Sequence, residues 1–145
     1  MKKIILFLFV SLIVYATFFT EKDRLDREVK RLCAIDGGIK VYETVKLPTE
    51  RFEKDGSIHI PFKQIAEPDH EYYYESSQYF FVEGNPSMWR NHYMVYRISD
   101  NKLLGESSSY SRHGGDIPGP WHGSSFRCPE KADITNLSMQ IFIKE

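Results

Sequence analysis

The stretch EYYYESSQYFFVEGNPSMWRNHYMVYRISDNKLLGESSSYSR, residues 71–112, decides the fold. Glu71 to Glu83 is rich in Tyr and Phe, the residues that fit a pleated, half-buried surface. Gly84-Asn85-Pro86 breaks it, and Trp89 to Ser99 resumes the strand pattern. Asp100-Asn101 follows, a pair that tolerates positive φ and suits a hairpin turn. Lys102 to Arg112 then returns as the partner strand. These read as three strands, the last two paired as a hairpin, in a mostly antiparallel sheet; a small barrel or roll with the helix as a plug is the alternative topology.

Working outward, Ile39 to Val45 alternates as an earlier strand, ended by Leu47-Pro48. Ser57 to Phe62, after an Asp55-Gly56 turn, reads as a short edge strand carrying Pro61. At the far end, Leu137, Met139, Ile141 and Ile143 alternate as a last strand. Upstream, Thr20 to Ile35 has the signature of a helix. Thr20 is positioned to cap it, and Glu21 and Asp23 suit its positive end. Leu25, Val29, Leu32 and Cys33 share one face, and Gly37-Gly38 stops it. The expected fold class is α+β. One N-terminal helix packs on a mostly antiparallel sheet of five or six strands, behind a signal or anchor segment.

The chain divides into residues 1–19, a signal peptide or membrane anchor, and residues 20–145, a single domain. Lys2 and Lys3 precede the apolar run Ile4 to Phe19, the pattern of an export signal. Val14-Tyr15-Ala16 offers a cleavage site. As a retained helix, Ile4 to Phe19 spans about 24 Å against roughly 30 Å of hydrocarbon, short but workable with local thinning. Both readings make the membrane a partner through residues 4–19. Lys22, Arg24, Arg27, Lys30 and Arg31 follow the run and argue for a cytoplasmic domain under the positive-inside rule. The short dibasic tail before the run argues for export. The reading adopted is a periplasmic domain, or one on the extracytoplasmic face of the inner membrane.

Cys33 and Cys128 are the only cysteines, and in an exported chain they are expected to form one disulfide. The formal charge of −1 balances 19 basic against 20 acidic residues. No basic stripe is present, which argues against nucleic acid as a partner. No cofactor or metal motif stands out, and neither Cys belongs to a C-x-x-C pair.

Arg112 to Pro129 is a long Gly- and Pro-rich loop, a kind often functional in compact domains. As a contact surface, it would present Trp121, Arg112 and His122 to an envelope protein, aided by nearby aromatic strand residues. As a small hydrolase, it would use Ser124 or Ser125 as nucleophile, His113 or His122 as base and Asp116 as orienter. Gly123-Ser124-Ser125 is not a G-x-S-x-G elbow, which weakens that alternative. As a metal-dependent enzyme, it would gather His113, Asp116 and His122 with His92. The favoured expectation is a binding or structural domain without catalysis.

Two segments, LCAIDGGIKVYETV at 32–45 and GGDIPGPWHGSSFRCP at 114–129, resemble a family of small uncharacterised bacterial proteins with an N-terminal hydrophobic segment. The resemblance implies a bacterial, membrane-associated or exported protein. It assigns no residue a role.

Overall fold

The computed structural model describes residues 1–116, 118–120 and 122–145, leaving the side chains of residues 17–20 aside. A single helix, α1 (Lys2–Asp36), carries the apolar run directly into the folded domain. Thr20 therefore lies within a helix and does not cap one. Nothing between Phe19 and Glu21 breaks helical geometry, because no Gly or Pro intervenes. The helix ends at Gly37, and Gly38 turns the chain with φ 117°.

The strand expected over 39–45 is two pieces, β1 (Gly38–Val41) and β2 (Val45–Leu47). An antiparallel meander follows: β3 (Tyr72–Val82), β4 (Ser87–Arg97) and β5 (Lys102–His113). Asn101 takes φ 53° in the β4–β5 turn, as the sequence requires. Next come β6 (Ser125–Cys128), helix α2 (Ile134–Ile141) and β7 (Phe142–Lys144). The sheet runs β1-β5-β4-β3, antiparallel throughout. Along the outer edge of β5, β1 pairs with Gly105 to Ser108 and β6 with Tyr110 to His113. Strands β2 and β7 form a separate parallel pair.

Two expectations are corrected. The last strand over 137–143 is mostly helix α2. Asp133 caps it by accepting from the Asn136 N–H at 2.8 Å, and Leu137 and Ile141 fall one turn apart on its buried face. The strand over 57–62 does not form. That segment lies along β3 through one bridge, Phe62 to Tyr74, and the Tyr74 N–H donates to the Pro61 carbonyl. Ile58 and Ile60 are nevertheless buried.

The sheet is covered on both faces, toward opposite ends. Successive strand residues point to opposite faces. On one face Met88 and Tyr110 pack with Leu25 and Val29 of α1, joined by Leu32, Phe126 and the disulfide. On the other, Val95 packs with Leu137, Ile141 and Phe142, joined by Ile39, Val41 and Tyr93. Gly105 suits the close approach there, since a Cβ would stand 2.9 Å from the Lys40 carbonyl oxygen of β1 as well as 2.9 Å from Ile141 Cδ1. The Cys33–Cys128 bond forms with Cα atoms 5.8 Å apart and ties α1 to β6.

Candidate functional site

The loop expected over 112–129 is shortened at both ends, because β5 continues to His113 and β6 begins at Ser125. Gly114 and Gly115 take φ of 81° and 77° and turn the chain out of β5. A Cβ on Gly114 would stand 2.0 Å from Asn85 Oδ1, so no other residue fits without a shift. Asn85, from the β3–β4 turn, accepts from the Gly115 N–H at 2.8 Å.

Arg112 sits beneath this turn and is only 2% exposed. Its Nε and Nη2 donate to the two carboxylate oxygens of Asp26 on α1, at 2.7 and 3.0 Å. Its Nη1 donates to the carbonyls of Gly114 and Ser124, at 3.0 and 2.7 Å, and to Ser124 Oγ at 2.9 Å. A guanidinium can satisfy a carboxylate and a turn together because its donors form a rigid planar fork. Arg112, expected as a contact residue, thus clamps the loop to the helix.

A second clamp stands beside it. The Ser124 N–H and Oγ–H donate to the Asp116 carboxylate at 2.5 and 2.8 Å, and Lys22 Nζ donates to the same group at 2.5 Å. The Lys22 ammonium, followed by the two Ser124 donors, holds Asp116 well below the usual carboxylate range. A depressed carboxylate adds stability above its unfolded value, about 3.9, and loses it as pH falls toward the folded value. The parent chain should therefore exceed Asp116→Asn in urea midpoint above about pH 5, with the gap shrinking below about pH 4. A gap unchanged from pH 6 to pH 2.5 would refute this assignment.

His113 is exposed, and its Nδ1 meets Ser125 Oγ at 2.9 Å. His122 is exposed. Trp121 lies outside the described residues. The loop brings Ser124 to Asp116 and Arg112, whereas the histidine contact goes to Ser125. Ser124 Oγ–H donates to the Asp116 carboxylate and its oxygen accepts from Arg112, while the Ser125–His113 contact is one of the hydroxyl–imidazole pairs that the hydrolase alternative named. His92 lies on β4 opposite Ser108, five residues and roughly 17 Å along β5 from His113. There it meets Glu106 at 2.7 Å, and Glu106 also accepts from Tyr42 at 2.5 Å. The Tyr42 hydroxyl is the main cause holding Glu106 below its ordinary value. Among the described residues, no three His, Cys, Asp or Glu side chains gather to hold a metal. Surface depressions of about 260 and 330 Å³ lie elsewhere, beside Ile58 and beside His70.

No known family, curated protein or solved structure matches the chain. The site therefore rests on its own geometry.

A different surface was only partly visible in the sequence. Strand β3 is an edge of the sheet, and Ser76 to Phe81 are exposed. Tyr79, Phe80 and Phe81 are 64%, 42% and 45% exposed. A bulge at Phe81 puts its ring 5.0 Å from Tyr79 on one face, while Phe80 lies 5.7 Å from Trp89 on the other. The segment bridging to Tyr74 covers only the start of this edge. Exposed edges are usually guarded by charge, proline or a bulge. The bulge at Phe81 lies near the end of this one, so its regular part runs from Ser76 to Phe80. The other two guards are charge and proline. Ser76 to Val82 has neither.

Proposed function

We propose that this chain is a non-enzymatic envelope domain, tethered to a membrane by α1, that binds an extended segment of another envelope protein along β3. The open, uncharged, aromatic edge from Ser76 to Val82 carries this reading. An added strand would gain main-chain hydrogen bonds from the edge, and the aromatic rings on both faces would select its side chains. The tether is supported by an N-terminal helix long and apolar enough to cross a membrane. The Cys33–Cys128 bond favours an oxidising compartment, hence the extracytoplasmic side.

The test is a photocrosslinking residue at Gln78 in the full chain, in its own cells. One adduct of defined mass is expected, absent when the same group stands at exposed Lys54. Tyr79→Lys should reduce that adduct at least tenfold while thermal stability stays within about 1 °C, because Tyr79 is a surface residue. Equal adducts at Gln78 and Lys54, or none at Gln78, would overturn the reading.

A further inference from the structure

We propose that the sheet face running from Phe80 to Arg127 binds an acidic oligosaccharide, with a sugar ring stacked on Phe80 and Trp89 and a carboxylate held by Arg127. This face shares two rings with the β3 edge but needs no partner strand there. Four side chains line up across four strands, because Phe80 pairs with Trp89, Trp89 with Ser111 and Ser111 with Arg127. Three strand spacings make the row about 14 Å long. Beside it, Gln78 Nε2 donates to Asn91 Oδ1 at 3.2 Å. Helix α2 packs on this face at its Val95 end. Phe80 and Gln78 are exposed, and Trp89, Asn91 and Arg127 are half-buried.

Arg127 lacks a counterion. Its Nη2 donates to Ser109 Oγ at 3.1 Å and to the Ala132 carbonyl at 3.0 Å, which fixes the guanidinium. Its Nε is buried without a hydrogen-bond partner. Among the described residues, Nη1 makes no hydrogen bond and no carboxylate pairs with the group. The other arginines of the sheet differ: Arg90 meets Asp36, Arg97 meets Glu43 and Arg112 meets Asp26. A guanidinium already stripped of part of its water gains a charge-assisted bond from an arriving carboxylate at little further desolvation cost. Phe80, Trp89, Ser111, Gln78 and Asn91 include no acidic group to oppose that carboxylate.

The ring pair and the sheet itself favour a sugar over a peptide. Strands β4 and β5 have their main-chain groups paired with neighbouring strands. A peptide lying across them would leave its own N–H and C=O groups unmet. A sugar ring has no main chain to satisfy. Its C–H face packs on the negative face of an aromatic ring, and its hydroxyls suit the Gln78 and Asn91 amides.

The experiment titrates tetragalacturonate, an acidic tetrasaccharide, and its uncharged methyl ester into the full chain in phosphatidylcholine nanodiscs, read by calorimetry. Saturable binding of the acid is expected, with the ester at least about tenfold weaker. Arg127→Gln should lose about tenfold for the acid and little for the ester. Arg127 also braces Ala132, so Phe80→Ser, at an exposed position, is the second variant, and it should weaken both ligands. Tyr79→Lys lies on the opposite face and should bind the acid as the parent does, although it removes the contact proposed at β3. No binding of the acid, equal binding of acid and ester, or parent-like binding by a folded Arg127→Gln or Phe80→Ser chain would overturn the sugar site and leave the β3 contact standing. Loss of acid binding in Tyr79→Lys would overturn it as well, by moving the ligand to the edge.

Discussion

Asp26→Ala is expected to lower unfolding stability by about 3 kcal/mol, or about 10–15 °C in Tm for a domain of this size. The cost comes from what is left behind. Arg112 remains 2% exposed, its charge now without a counterion. Breaking a buried ion pair from one side typically costs about 3–5 kcal/mol. The lower end applies because Nη1 keeps its three oxygens on Gly114 and Ser124. The reverse deletion differs in kind. In Arg112→Met, Asp26 is 24% exposed and can turn to water, but the Gly114 carbonyl loses the Arg112 donor and the Ser124 carbonyl keeps only the Gly114 N–H. The double variant Asp26→Leu/Arg112→Met removes both charges and should recover part of the loss. Thermal unfolding with the disulfide intact decides it. An Asp26→Ala chain within 1 kcal/mol of the parent would show that the buried guanidinium needs no partner.

The three strands β3, β4 and β5 were legible because they are long and their turns carry the residues that such turns need. Asn101 at φ 53° and Gly84 at φ 106° are the direct outcome. The C-terminal segment was misread because Leu137, Met139, Ile141 and Ile143 alternate as a strand would. Leu137 and Ile141 also satisfy helical spacing, and only the Asp133 cap tips the balance. Strand β6 escaped notice because four residues between glycines and a proline carry too little pattern. Within the loop, sequence identified Arg112, Asp116 and Ser124 as chemically unusual but not what they answer to. Their partners, Lys22 and Asp26, lie about 90 residues upstream. The available signal was on α1: Lys22 and Asp26 stand on the same stripe as Leu25, Val29 and Cys33. A charge on an otherwise apolar stripe calls for a partner on the surface it packs against. The open edge of β3 was readable as a strand, but not as an edge, since strand order is a property of the whole sheet.

Loss of the Cys33–Cys128 bond is expected to have the largest effect of any single change. The bond closes a loop with sequence separation 95. In the chain-entropy model such a link disfavours the unfolded state by about 4–5 kcal/mol, comparable with the lower end of a typical domain's total stability. Two features of the fold add to this. Both sulfurs join the cluster of Leu25, Val29, Met88 and Tyr110, so the bond also anchors α1 on the sheet. Also, β6 is only four residues long and pairs with β5 alone, so its ladder offers little independent stability. The double variant Cys33→Ala/Cys128→Ala removes the link without leaving an unpaired thiol. Its urea midpoint should fall by about 2 M for a slope of about 2 kcal/mol per molar. Amide exchange should rise first in β6 and at Gly114, whose N–H donates to the Ser124 carbonyl. Exchange in the β3–β4 ladder should follow only global unfolding. A midpoint lowered by less than about 0.5 M would mean that the clamps at Arg112 and Asp116 already fix α1, and that the disulfide adds little to them.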